Sequence, residues 1–368
     1  MKIVYIVSGI YRWISFEWIT EILQERHVDL RFILLNSHGH FEEYLSRKKI
    51  QFRSIEFSGR TQILKMIPHV LFILKKWKAD VIHTHFVDAN IIGLTAGMLG
   101  NIPKRIYTRH HNTYHHDYAR KGVFLDRYSN ILATDIISIS RRVSDTLVKR
   151  EGVPLSKIVR INHGFKPEPF VNPSPSDVEL LKVRYSVESG RVIGVIARHI
   201  YWKGVKFIVK AFKELMSDYP DTILFLANAR GDQASSIRSL LSSIPKSRYR
   251  LVPFEPNVGA LYRLFHVYVH TPIDPDIEAF GQTYVEALMA GIPSVFTVSG
   301  IAHDFVEHER NALVVSYKNE HEICVAIRRI LDEKDLGLHL SQQGRRDAIT
   351  LFSLEKMVRQ LLNTYEKE

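Results

Sequence analysis

From Lys2 to Asn162, short β-branched runs alternate with longer amphipathic stretches. KIVYIV, DLRFILLN, DVIHTH, RIYTRH, DIISIS and KIVRI read as strands, with helical periodicity between most of them. Parallel strands need a crossover segment between them, so this alternation predicts a parallel sheet wrapped by helices. The pattern restarts at Val192 with VIGVIAR and a helix over about 205–218, followed by TILFLAN, YRLVPF, HVYVH, IPSVFT and ALVVS. Between the two halves, Pro167, Pro169, Pro173 and Pro175 crowd a stretch in which neither helix nor central strand is expected. The expectation is an α/β chain with two doubly wound domains, 1–165 and 191–350. A linker covers 166–190, and a last helix, 351–368, is free to pack back on the first domain.

Composition adds exclusions. At 368 residues, 45% hydrophobic and 24% charged, the chain is long enough for two packed cores and too apolar for disorder. The one cysteine, Cys324, allows no internal disulfide, and no paired Cys/His spacing suggests structural zinc, so a reducing, cytoplasmic setting is expected. The apolar start IVYIV runs straight into Ser8 and Gly9, unlike a leader, and HVLFIL is broken by Lys75, Lys76 and Lys78, far short of the ~20 residues that span a bilayer. Charge changes the picture most. Of the +11 formal charge, all lies in residues 1–165, with 25 Lys and Arg against 14 Asp and Glu; the rest balances at 25 against 25. A basic first domain favours anionic partners. No nucleic-acid module is recognisable, so nucleic acid is set aside. An amphipathic helix over about 62–77, with Ile63, Leu64, Ile67 and Leu71 beside the three lysines, could instead rest on an anionic membrane surface, although a helix with one buried face and a basic last turn, which the helix dipole favours, is the better-supported reading.

Ligands of open parallel sheets sit at the carboxyl ends of strands, so the loops that follow strands carry the candidate chemistry. PIDPDIEAFGQTYVEALMAGIPSVFT, from Pro272, orders a loop, a turn at Gly281, a helix over about 282–290, a stop at Gly291 and a strand. A helix opening at Gly281 offers unpaired N–H groups to a phosphate. Glu278 precedes it, and Glu286 lies within it among Tyr284, Val285, Ala287 and Leu288, where an idle carboxylate would be costly. VIGVIARHIYWKG places Arg198 and Lys203 after one strand, two cations able to neutralise a diphosphate. RIYTRHHNTYHH crowds His110, His111, His115 and His116 after another, with Asp117 as the nearest carboxylate; the set lacks the fixed support of a metal site. His83 and His85 alternate on a strand end, where each could be either a core residue or part of a cleft wall. Asp274 and Asp276 imitate an acidic metal motif but stand in a two-domain pattern.

The string EAFGQTYVE followed by ALMAGIPSV resembles the signature of family 4 glycosyltransferases, which have the GT-B fold of two Rossmann-like domains facing across a cleft. The strand-plus-Arg198-and-Lys203 segment, His110 after Thr108, and RINHGFKPEPF with Asn162 and Gly164 agree in order. The resemblance implies a retaining, metal-independent transfer of a sugar from a nucleotide diphosphate donor, UDP- or GDP-linked, to a hydroxyl in glycan, polysaccharide or glycolipid synthesis. It assigns Arg198 and Lys203 to the diphosphate, Phe280, Gly281 and Gln282 to the donor cradle, Glu286 to the ribose, and Glu278 and His110 to the donor sugar. No other cofactor is implied. The acceptor stays open, a lipid-linked hydroxyl among the alternatives, as does a catalytically silent scaffold of the same fold. The sequence departs from the family at Ala197, in the loop Gly9, Ile10, Tyr11, Arg12 and Trp13 where a Gly-Gly pair is usual, at His163, and in LANARGD and PFEPN.

Overall fold

The computed structural model describes residues 1–9, 14–36 and 39–367; the loop of Ile10 to Trp13 lies outside them. The chain divides into two compact units, one of Met1–Phe165 with Ser353–Glu368, the other of Lys166–Phe352.

The first unit is built on seven parallel strands: β1 (Lys2–Ser8), β2 (Asp29–Leu35), β3 (Phe52–Ile55), β4 (Val81–His85), β5 (Lys104–Arg109), β6 (Asp135–Ser138) and β7 (Ile158–Arg160). They run in the order β3-β2-β1-β4-β5-β6-β7. β1 is buried along nearly its whole length, as its unbroken apolar run requires of a strand covered on both faces. β3 escapes the sequence pattern because it is a four-residue edge strand with exposed Arg53 and Ser54. Strand order reverses between β1 and β4, so the ends of these two strands border the crevice of the sheet.

The second unit holds six parallel strands: β8 (Arg191–Ile196), β9 (Thr222–Ala227), β10 (Tyr249–Val252), β11 (Val267–His270), β12 (Ser294–Phe296) and β13 (Leu313–Val314). Their order is β10-β9-β8-β11-β12-β13, reversing between β8 and β11. Helix Val205–Leu215 lays Val205, Ile208, Val209, Phe212 and Leu215 on this core.

The stretch 166–190 is not the irregular linker its prolines suggest. Helices Glu168–Val171 and Pro175–Tyr185 form there, with Pro169 and Pro175 in their first turns. In a first turn the missing N–H has no helical partner to lose, and the fixed φ suits the helix. The segment packs within the second unit: Asn257 donates to Asp177 at 2.9 Å, and Tyr185 to the buried Glu255 at 2.6 Å.

The φ of Gly164 is not positive, so no left-handed turn forms there. A Cβ there would lie 2.6 Å from the Cα of Leu354, so the position needs glycine for close approach to helix Leu354–Glu366. That helix is bound into the first unit by Tyr365, whose hydroxyl meets Tyr5 at 2.6 Å and His83 Nδ1 at 2.7 Å. No helix among the described residues is long and apolar enough to cross a membrane.

Candidate active site

In the second unit the candidate residues gather at the reversal of strand order. Arg198 follows β8 and is exposed; Lys203 lies in the turn Tyr201–Lys203 that leads into the core helix. The loop after β11 carries Glu278, nine-tenths buried, with its N–H on Ser299 Oγ at 3.3 Å. Lys203 Nζ donates to Glu278 Oε1 at 2.5 Å. Burial alone would raise the Glu278 carboxyl, but the Lys203 ammonium and the His270 contact outweigh it and hold the group well below the usual carboxylate range.

His270, the last residue of β11, sits with Nε2 3.7 Å from the same carboxylate oxygen, and neither of its ring nitrogens has a hydrogen-bond partner. Thr271 Oγ1 beside it is equally unpartnered. Buried polar atoms are nearly always paired in a resting structure, so these point to an intended ligand. The strand pattern alone gave His270 no distinction; its signal was a histidine ending a strand just before the loop of Glu278.

Helix Gln282–Met289 starts at Gly281, whose φ of +84° is left-handed and where a Cβ would meet the Tyr284 ring at 2.7 Å. Phe280 is buried against Phe352, ring centroids 5.8 Å apart. Gln282 opens the first turn; the Tyr284 N–H donates to the Gly281 carbonyl at 3.1 Å, and the N–H groups of Gln282 and Thr283 have no acceptor within the helix. One turn on, half-buried Glu286 accepts from the Tyr262 hydroxyl at 3.0 Å. Desolvation pushes its carboxyl up to about 7, against the Tyr262 hydrogen bond. Asp274 is engaged locally, accepting from the Asp276 N–H at 2.9 Å. Asn228 takes a left-handed φ of +58° in the loop after β9.

In the first unit His85 ends β4 and His110 follows β5. His85 Nδ1 and His110 Nε2 are 3.0 Å apart, and His163, inserted after β7, stacks on His110 with centroids 5.8 Å apart and planes 9° apart. Burial first, then neighbouring histidines, depress His85 and His110 well below the usual imidazole range. His83 is a satisfied core residue, its second nitrogen bonding Thr108 Oγ1 at 2.8 Å.

The remaining histidines of that loop are held by carboxylates from other elements. Asp126 Oδ2 takes His111 Nε2 at 3.0 Å, His115 Nδ1 at 2.7 Å and Arg109 Nη2 at 2.9 Å. Glu151 takes Arg109 at 2.6 Å and His116 at 3.1 Å. Asp117, the only carboxylate the sequence suggested, instead pairs with Arg150 at 3.2 Å. His111, His115 and Asp126 have the spacing of a cation site. The buried Arg109 guanidinium already supplies the positive charge on that oxygen, so the cluster fits an internal ion network better than a metal.

Two sequence families match. The pattern described as glycosyl transferases group 1 fits residues 179–347, and that of glycosyltransferase family 4 fits residues 19–168. The chain belongs to the family 4, group 1 glycosyltransferases of GT-B fold, and it is a glycosyltransferase. It is 26% identical to the alpha-monoglucosyldiacylglycerol synthase of Acholeplasma laidlawii, over 70% of this chain and 69% of that protein. It is 23% identical to the capsular polysaccharide biosynthesis glycosyltransferase CapM of Staphylococcus aureus, over 85% and 83%. The solved structure of Anabaena HepE in complex with UDP and glucose superposes with a TM-score of 0.86 at 18% identity, covering 100% of both chains, which speaks for the fold.

Proposed function

We propose that this glycosyltransferase moves a sugar from a nucleotide diphosphate sugar to a hydroxyl acceptor with retention at the anomeric carbon and without a metal ion. The observation that carries the reading is the buried Lys203–Glu278 pair beside the Gly281 helix start, at the crevice of the second sheet. HepE, bound to UDP and glucose, shares this architecture, and the two relatives above act in glycolipid and capsule synthesis by name.

Lys203, Arg198 and the N–H groups that open helix Gln282–Met289, from Gln282 on, receive the diphosphate and stabilise its charge as it departs. Phe280 backs the loop. Glu286, ionised, accepts two hydrogen bonds from the ribose diol. Glu278 accepts from donor-sugar hydroxyls, and the family resemblance assigns His110 to the donor sugar as well. The acceptor oxygen attacks the anomeric carbon from the leaving-group face, the bond to the diphosphate oxygen breaks, and that oxygen takes the acceptor's proton. No protein nucleophile is involved.

The acceptor lies with the basic first unit. Helix Ile63–Trp77 exposes Leu64 (82%) and Phe72 (66%) among exposed Lys65, Lys75, Lys76 and Lys78. A groove of about 550 Å³ beside it is lined by Arg31, Arg53, His69, Phe72, Lys76 and Trp77. An apolar stripe rimmed by cations suits an anionic membrane surface and a lipid-linked acceptor.

Calorimetry with UDP, GDP and ADP and their common sugar conjugates, on wild type and Glu286→Ala, tests the donor half. The expected result is tight binding of one nucleotide series that is lost in the variant. Binding of none of them overturns the reading.

A further inference from the structure

We propose that His270 is a positioning residue for Glu278: its Nε2–H holds carboxylate oxygen Oε1 from the side of the sheet, so that Oε2 is presented to the donor sugar. This rests on the reading of Glu278 as a contact of that sugar.

Two groups approach the Glu278 carboxylate, and both approach the same oxygen. Lys203 Nζ donates to Oε1 at 2.5 Å, and His270 Nε2 stands 3.7 Å from it. Among the described residues Oε2 receives no hydrogen bond, and 11% of the side chain stays open to solvent. One oxygen is thus anchored and the other kept for a ligand. A single anchor does not achieve this, because the terminal torsion of a glutamate is soft and one contact on Oε1 leaves Oε2 free to swing.

The two anchors differ in what holds them. Lys203 ends a three-residue turn, and its ammonium is the one assigned to the diphosphate. His270 is the last residue of β11, in register with Phe296 on β12, and its carbonyl accepts from the Thr297 N–H at 3.3 Å. Its ring packs against buried Tyr284 with centroids 4.7 Å apart and planes at 82°, and the Tyr284 hydroxyl is tied to the Thr297 carbonyl at 2.7 Å. The sheet therefore fixes this ring independently of what Lys203 binds.

The state of the ring suits the role. His270 is 1% exposed, and burial depresses it below the usual imidazole range, against the pull of Glu278. Lys203 already balances the carboxylate, so the ring is neutral and carries one N–H. The charge on Glu278 draws that proton to Nε2, because the other tautomer would aim a lone pair at an anion. At 3.7 Å the contact is about 0.5 Å beyond hydrogen-bond range, a gap that rotation about the soft carboxylate torsion closes.

Long-range proton–nitrogen NMR on the ¹⁵N-histidine-labelled full chain reads the ring directly. A neutral His270 with its proton on Nε2 is expected; a bare Nε2 overturns the proposal without any variant. Calorimetry with UDP and UDP-glucose, GDP and GDP-mannose, and ADP and ADP-glucose reads the positioning, since on this reading only the conjugate reaches Glu278. For the pair that binds wild type, His270→Phe should weaken the conjugate about tenfold, the effect of one hydrogen bond, and leave the nucleoside diphosphate unchanged. His270→Gln, whose amide offers an N–H near the Nε2 position, should restore the conjugate to within about threefold. Equal loss for both ligands in His270→Phe, or loss for neither, overturns the proposal. Glu278→Gln separates it from the reading beneath. If that variant keeps the wild-type preference for the conjugate, or if no pair binds wild type, the sugar contact of Glu278 and the role of His270 fall together. If Glu278→Gln loses the preference while His270→Phe keeps it, only the role of His270 falls.

Discussion

Glu286 offers a test in which stability and function move in opposite directions. Its carboxyl titrates near 7 in the folded chain, against 4.5 for an ordinary glutamate. The folded protein therefore holds this proton more tightly than the unfolded chain does, and the stability this contributes is full below 4.5 and lost as pH rises through 7. The full shift would correspond to about 3 kcal/mol; because the side chain is half-buried, about 2 kcal/mol is the figure to carry. Glu286→Gln keeps the shape and the Tyr262 contact but removes the titration. The variant should match wild type at about pH 4 and exceed it by ~2 kcal/mol at about pH 8, a rise of roughly 4–8 °C in Tm for a unit of this size. Other carboxylates titrate equally in both proteins and cancel in the difference.

Donor binding should do the reverse. A nucleotide sugar, whose diphosphate has no group titrating in this range, should bind wild type roughly four- to thirtyfold more weakly at about pH 5.5 than above pH 8, the lower figure following from the discounted shift, because the proton on Glu286 must leave before the ribose can bind. Glu286→Gln should bind weakly at every pH. Thermal melts across this range and calorimetry with the donor measure the two arms. A stability difference that stays constant with pH would refute the raised carboxyl, and wild-type affinity that is flat with pH would refute the ribose contact.

Lys203→Met leaves the Glu278 carboxylate buried without its partner and should cost about 3–5 kcal/mol by urea unfolding. Adding Glu278→Gln should restore stability to within about 1 kcal/mol of wild type, and a single variant as stable as wild type would show the pair is not formed. Gly164→Ala forces a Cβ to 2.6 Å from the Leu354 Cα and should destabilise by ~1–3 kcal/mol, with faster hydrogen exchange in helix Leu354–Glu366; unchanged exchange there counts against the close packing. Sedimentation with anionic vesicles should pull down wild type but much less of Phe72→Ser with Lys75→Ser and Lys76→Ser, while neutral vesicles pull down neither; equal sedimentation of both proteins rejects the membrane face.

The loop, glycine and helix around Glu278 were legible because every part of that device is local: Gly281 for the left-handed turn, free N–H groups after it, and Glu286 one turn further. What was not legible were partners brought by the fold. Lys203 and Glu278 are 75 positions apart, His116 and Glu151 are 35 apart, and Tyr5 and Tyr365 are 360 apart. The histidine-rich loop after β5 consequently read as a search for a carboxylate nearby, with Asp126 on a later helix and Glu151 beyond it invisible. The proline cluster misled for a different reason. Proline breaks a helix only from inside it, and whether Pro169 and Pro175 stand inside or at the first turn depends on where the helix begins, which packing against the second unit decides.

The polar interior also sorts its histidines by what they lack. His83 bonds through both nitrogens, and His111, His115 and His116 are each held by a carboxylate. Their hydrogen bonds are satisfied by the fold, and removing any of them should register as lost stability. His85 and His270 instead end β4 and β11, each a strand that borders the reversal of its sheet, and each keeps buried nitrogen without a partner. A buried polar atom left unpaired costs stability, so its persistence at both crevices has to be explained by what binds there or by what it orients. For His270 the neighbour is Glu278, itself paired with Lys203; for His85 it is His110. The two units thus place the same kind of unfinished histidine at the same topological position, and in both cases the residue beside it is one assigned to the donor sugar.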